Sequence, residues 1–251
     1  MTPNCWGTKN NITSVEIAGN IVIESSCEKL LGIKVDRDMK FDTQVKEICT
    51  IAGQKLSALS RQCKILPFDK RKMLVTAYFN SLFEYGKLVW MFHDRRMNAK
   101  INRLHCRALR IIYRNYTSSF EELLEIDGSC TIHHSNIKCL AVEIYKYKNG
   151  LSPVFMGNIF EKCENNEEHV SNFTRNHNEF YYSSNPRTEQ YGVSSLSYFG
   201  PLVWNMIPCE IRDSATLSLF QTNIKFWKVT KCPCKLCKDF VPNLGYANIT
   251  R

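Results

Sequence analysis

Lys100, Arg103, Arg107, Arg110 and Arg114 follow one another at steps of three, four, three and four residues. On an α-helix that spacing puts all five on one face, about 21 Å from first to last at roughly 1.5 Å per residue. Like charges so placed repel by roughly a few tenths of a kcal/mol per pair, so the face carries a small cost. A merely solvated face mixes both signs, yet no Asp or Glu lies between Lys100 and Arg114. The chemistry that suits such a row is contact with a polyanion, phosphate by phosphate, without base-edge readout. Lys70, Arg71 and Lys72 form a second cationic run at a helix start, read equally as a further phosphate contact or as a solvated cluster. The basic excess is local. Residues 37–114 carry 17 Lys/Arg against six Asp/Glu, net +11, in a chain whose total is +9. A confined block of this kind is the electrostatic footprint of a phosphate partner.

A second group able to do chemistry is Cys232, Cys234 and Cys237 in the tail. Three thiolates so close could hold zinc, but a structural tetrahedral site takes four ligands. The fourth would come from afar, Cys209 or Cys163; the alternative is a reduced, unliganded tail. His133 and His134 stand at a helix start and read as capping and surface residues. Asp36 and Asp38 sit two apart at a strand end and read as turn residues rather than a metal pair. No Gly-rich phosphate loop and no paired nucleophile occurs, so no catalytic residue is assigned. Trp90, Trp204 and Trp227 fall among apolar residues and read as core.

The elements that must position these groups follow from periodicity. Ser14–Glu24 reads as a hairpin around Ala18-Gly19-Asn20, and Glu28–Asp36 as one further strand with Gly32 marking a bulge or close approach. From Thr43 the period turns helical: Val45, Ile48, Ala52, Leu56 and Leu59 make a stripe that ends near Cys63. A second helix is expected from Lys70 to about Phe92, capped by Asp69, with Leu74, Ala77, Tyr78, Leu82 and Tyr85 as its stripe. A third, Asn98 to about Tyr113, carries the basic row beside Ile101, Leu104, Ala108 and Ile111. Ser119 and Glu122 form a capping box. Further helices are read at Thr131–Lys148, after Ser152-Pro153, at Val193–Ile207 and at Thr216–Val229, with a loop over 161–192 and a hairpin around Phe180–Tyr182. The fold class is α+β, mainly α. A small antiparallel β element (1–36) precedes a basic three-helix bundle (37–116), a helical C-terminal module (117–230) and a Cys-rich tail (231–251). No charged-then-apolar leader opens the chain and no apolar run approaches about 20 residues. The thiols are therefore read as reduced and mostly buried, in a cytoplasmic or nuclear protein that meets no membrane.

Lys29-Leu30-Leu31-Gly32-Ile33-Lys34-Val35-Asp36, then Phe41 and the helix through Leu56, Leu59 and Arg61, resembles reverse transcriptases of LINE-type (non-long-terminal-repeat) retrotransposons. In that family a Leu-Gly strand ends the palm and leads into a helical thumb. Glu84-Tyr85-Gly86 with Val89-Trp90, and Leu104-His105-Cys106-Arg107-Ala108-Leu109-Arg110, resemble its next motifs in order. Phe120–Leu124, Ile132–Asn136, Glu143–Lys146, Asn149–Pro153, Gly200–Pro208 and the closing Cys-Pro-Cys-Lys-Leu-Cys resemble the region beyond the thumb. The resemblance covers about residues 14 to 246.

It implies a C-terminal piece of an RNA-directed DNA polymerase: palm edge, thumb and post-thumb region. The basic row would then lie along an RNA or DNA template–primer duplex, and the upstream polymerase domain would be a partner. The intact family enzyme uses Mg²⁺ held by an Asp-Asp hairpin upstream of the Leu-Gly strand. This chain has no Asp-Asp pair, so it is expected to be inactive alone and to need no cofactor beyond the candidate zinc. The alternative is a non-catalytic nucleic-acid-binding or scaffold protein derived from such an element. The first reading predicts an orphaned β element with an exposed edge; the second predicts strands that are self-sufficient or covered by the C-terminal module.

Overall fold

The computed structural model describes residues 14–160, 188–229 and, in the tail, 232, 234, 236, 240, 241, 245 and 246. The expected hairpin at Phe180–Tyr182 lies outside the described residues. The chain is mainly helical after a small antiparallel β element, the α+β class its residue pattern predicts.

Two hairpins open it. β1 (Ser14–Ile17) pairs with β2 (Asn20–Ile23), and β3 (Cys27–Leu30) with β4 (Ile33–Asp36). The expected single strand over Glu28–Asp36 is thus a hairpin. Leu31 and Gly32 both hold positive φ, 48° and 85°, the two-residue turn whose twist matches antiparallel strands. Gly32 accordingly marks a turn and not a bulge. The β3–β4 hairpin docks on the helix that follows: Lys34 N donates to Gln44 Oε1 at 2.8 Å, and Lys34 Nζ pairs with Glu47 at 3.3 Å. β1–β2 is left uncovered, with Ile17, Ile21 and Ile23 each at least 60% exposed.

α1 (Asp42–Gln62) buries Val45, Ile48, Ala52, Leu56 and Leu59, as its stripe predicts. The expected long second helix is instead four pieces: α2 (Phe68–Val75), a π-helical turn (Thr76–Asn80), α3 (Ser81–Glu84) and α4 (Lys87–Trp90). Its N-cap is Pro67 and not Asp69, which lies in the first turn where a carboxylate suits the helix dipole. The π turn shifts the buried stripe to Val75, Phe79 and Phe83, leaving Tyr78 and Tyr85 exposed. The break falls at Gly86, φ 58°, where the Ile33 side chain fills the space a Cβ would need. Tyr85 Oη donates to Leu31 O, so the broken helix also fixes the second hairpin.

α5 (Arg95–Tyr113) begins three residues earlier than its pattern suggests and buries Ile101, Ala108, Leu109, Ile111 and Ile112. α6 (Phe120–Asp127) has the predicted capping box between Ser119 and Glu122. Although read above with the C-terminal module, α6 adds Leu123 to the core built by α1, α2, α3 and α5.

α7 (Ile132–Lys148), capped by Thr131, leads into a second core. That core joins Ile137, Leu140, Ala141 and Ile144 to α8 (Leu196–Met206) and α10 (Leu217–Phe226), with α9 (Cys209–Arg212) between them. In α8 an added Cβ on Gly200 would meet the Phe160 ring at 2.5 Å, and Trp204 is fully buried. The Gly-Pro…Trp motif is therefore a packing device. The tail carries a two-residue pair, β5 (Phe240–Val241) with β6 (Gly245–Tyr246). The two cores meet at a seam: Trp90 and Ile132 belong to the first, their near neighbours Met91 and Ile137 to the second. No helix of the described residues is long and apolar enough to cross a membrane.

His105 lies in the first core, stacked on Phe79 with centroids 6.0 Å apart and edge-on to Phe120 at 5.4 Å. Burial pushes its pKa down to about 4 from 6.5. The neutral ring is the folded form, and the unfolded chain takes up the proton first. His105 therefore contributes its full stability above about pH 6.5 and loses it as pH falls towards about 4, at about 1.4 kcal/mol per pH unit. His105→Phe is expected to flatten the pH dependence of unfolding between those values by about one proton, measured by urea denaturation at several pH values.

Candidate nucleic-acid interface and metal cluster

α1 and α5 lie side by side and run the same way. Contacts step up together, from Gly53 against Leu104, through Ser57 against Arg107, to Cys63 against Arg114. α2 to α4 supply the crossover that a parallel pair requires. The C-terminal carbonyls of both helices consequently emerge at one end of the bundle, where two partial negative charges accumulate.

Two of the predicted phosphate ligands are spent there. Arg71 is only 7% exposed; its Nε donates to Ile112 O at 2.9 Å and its Nη1 to Leu66 O at 2.7 Å. Arg114 has left the helix, at φ 54°, and its Nη2 donates to Lys64 O at 2.5 Å, with Cys63 O and Leu66 O at 3.4 Å. Both are corrections to the expected binding set. These guanidiniums close helix ends because orphan carbonyls crowded together need a multi-pronged cationic donor.

Lys72 is also engaged, 2.9 Å from Asp127, whose hydrogen bond holds the ammonium above its ordinary pKa. Tyr113 Oη donates to the same carboxylate at 2.8 Å. Lys70 remains exposed. Arg110 is half-buried, its Nε without a hydrogen bond among the described residues.

What stays outward on α5 is Lys100, Arg103 and Arg107, with Arg103 and Arg107 exposed and Lys100 half-buried. Among the described residues none of the five predicted row members is ion-paired. Arg107 Nη2 donates to Ser57 Oγ at 3.2 Å across to α1. On α1 the spacing 46, 50, 53, 57, 61 places exposed Lys46 and Arg61 on the Ser57 side, flanking a floor of Gly53 and Ser57. The candidate interface is thus the face between α1 and α5, with cations on both helices and small and hydroxyl residues between them. Lys46, Ser57 and Arg61 escaped the sequence reading. The polar stripe opposite the apolar stripe of α1 is the signal that could have found them.

Asp36 and Asp38 do not form a metal pair. Asp36 Oδ1 accepts from Lys40 N at 2.7 Å and Asp38 pairs with Lys40 Nζ at 3.2 Å, both turn-closing roles. These residues do not fit the Mg²⁺ site of a polymerase.

The tail cysteines find a partner that their sequence neighbourhood does not supply. His133 Nε2 lies 3.1 Å from Cys234 Sγ and 3.9 Å from Cys232 Sγ, and the three donor atoms fall within 4.8 Å of one another. His133 is 4% exposed, so the expectation of a surface histidine is corrected. It points inward because it shares a helix face with Asn136, Ile137 and Leu140, all fully buried. Burial pushes His134 and His93 down to about 4, with His133 adding to both shifts. These two imidazoles are held neutral. Cys209 is exposed and its Sγ accepts from Arg212 at 3.3 Å; Cys237 and Cys163 lie outside the described residues. These three donors could hold a metal ion.

Compared with protein-family models, with the curated proteins and with the solved structures, the chain matches none.

The division of the cations is measurable. Arg71→Ala is expected to cost about 3 kcal/mol in urea unfolding, because buried carbonyls lose a charged donor. Arg103→Ala is expected to change stability by no more than about 0.5 kcal/mol.

Proposed function

We propose that the chain is the thumb and post-thumb part of a LINE-type reverse transcriptase, and that on its own it binds a template–primer duplex without polymerising. The observation that carries this reading is the two-helix cationic face: Lys100, Arg103 and Arg107 on α5 beside Lys46 and Arg61 on α1, with Ser57 between them. Phosphates in a row need point charges at intervals along a rigid support, and hydroxyls that can add a neutral hydrogen bond. Two parallel helices supply both. The uncovered β1–β2 hairpin is the exposed edge that a polymerase-derived piece predicts. The upstream palm is then the chain's structural partner, and the setting is cytoplasmic or nuclear.

Chemistry is not assigned to this chain, because it has no Asp-Asp pair and its near-neighbour aspartates close turns. Primer extension with Mg²⁺ or Mn²⁺ is expected to give no product, and extension by the purified chain would overturn that. The His133–Cys232–Cys234 cluster is assigned to zinc, since two thiolates and an imidazole are the soft and borderline donors that ion prefers. Elemental analysis of purified protein is expected to find near one equivalent, and less than about half would rule out a structural site.

Duplex binding is tested by salt dependence. Replacing Lys100, Arg103 and Arg107 by Ala is expected to weaken binding and to flatten the slope of log K against log salt by roughly 2.7, about 0.9 for each phosphate no longer neutralised. An unchanged slope in the triple variant would sink the assignment.

A further inference from the structure

His133 occupies the first turn of α7, directly after Ile132 in the first core and four residues before Ile137 in the second. Cys232 and Cys234 pack against the second core. The three donors therefore meet where the two cores join, and they come from segments about a hundred residues apart. A tetrahedral zinc with bonds of about 2.3 Å to sulfur and about 2.0 Å to nitrogen sets its N···S separations near 3.6 Å. The observed 3.1 and 3.9 Å lie on either side of that value, and all three donor atoms fall within 4.8 Å of one another, so the cluster stands near ligand spacing.

Charge also suits the place. Binding takes one Zn²⁺ and releases one proton from each thiol, giving a neutral complex of two thiolates and one imidazole with a water in the fourth position. A neutral complex escapes most of the desolvation cost that a bare cation would meet beside a residue as buried as His133. The Nδ1 of His133 has no hydrogen bond among the described residues. The ring is oriented instead by its place in the helix and by the neighbouring His134 ring, with centroids 5.8 Å apart.

We propose that zinc on His133, Cys232 and Cys234 is a staple across the seam: it ties the tail to the start of α7 and controls the stability of the second core, leaving the duplex-binding face of the first core unaffected. The proposal rests on the zinc assignment of the same cluster. No duplex-contacting residue named above belongs to the second core, and helices α1 and α5 are buried on each other and on α2 and α3. Opening of the second core would release the ion. Free zinc at about a hundred times its Kd therefore suppresses that opening about a hundredfold.

Hydrogen exchange on the full chain, zinc-loaded, chelator-stripped and reloaded, tests the staple alongside duplex binding. Stripping is expected to speed amide exchange in α8, α10 and the second half of α7 by up to about a hundredfold, with α1 and α5 unchanged and the duplex Kd within about twofold. Reloading restores protection. His133→Cys, which keeps a zinc ligand, is expected to retain both ion and protection, whereas His133→Ala loses both. A chain that holds no zinc sinks the zinc assignment itself. A chain that holds zinc but exchanges identically when stripped keeps the metal site and overturns the staple. Exchange rising equally in α1 and α5, with duplex binding abolished, overturns the separation of the two cores.

Discussion

Two long helices lying parallel is the constraint from which the rest of the first core follows. Parallel neighbours bring their C-termini to one end, and the last carbonyls of each helix lack an intrahelical donor. Arg71 reaches Ile112 O at the end of α5 and Arg114 reaches Cys63 O at the end of α1, and both also tie down the link after α1 through Leu66 O, with Lys64 O bonded to Arg114. The arrangement also dictates the path of the chain between α1 and α5. A crossover must return to the starting end, and the segment that does so is broken at the π turn and at Gly86. The break lets Trp90 and Met91 face different cores, and it places Ile33 and Tyr85 where they hold the second hairpin.

The same constraint sorts the cations. A guanidinium near a helix C-terminus lowers the energy of the fold, and a guanidinium halfway along an exposed face does nothing for it. Lys100, Arg103 and Arg107 are in the second position, and Ser57 is the only partner any of them makes among the described residues. Charge kept on a surface without an internal partner is charge available to a ligand. Alignment of α1 beside α5 then adds Lys46 and Arg61, turning a one-helix row into a two-helix face. At the other end of the molecule, the seam between the cores does something similar for His133. Its burial is set by the α7 face it shares with Ile137 and Leu140, and its partners arrive from the tail.

Much of this was legible in the residues. The stripes of α1, α5 and α7, the Ser119–Glu122 box and the first hairpin rest on local rules, periodicity and capping, that act within a few residues. The misreadings share a cause. A single strand became a hairpin because Leu31 joined Gly32 in positive φ, which no side-chain pattern announces. The second helix fragmented because Ile33, far away in sequence, takes the space beside Gly86.

The sequence by itself determined that the chain is a mainly helical α+β protein with one strongly basic block, and that three cysteines at the tail could serve as ligands. Charge and periodicity are properties of neighbours along the chain, so they survive without coordinates. Only the tertiary structure decided which cations are free. Arg71, Arg114 and Arg103 are chemically alike, and their roles differ solely by distance to carbonyls from other helices. It also decided that the histidine beside Cys232 and Cys234 is His133, because a cluster closes in space and its members need no proximity in sequence.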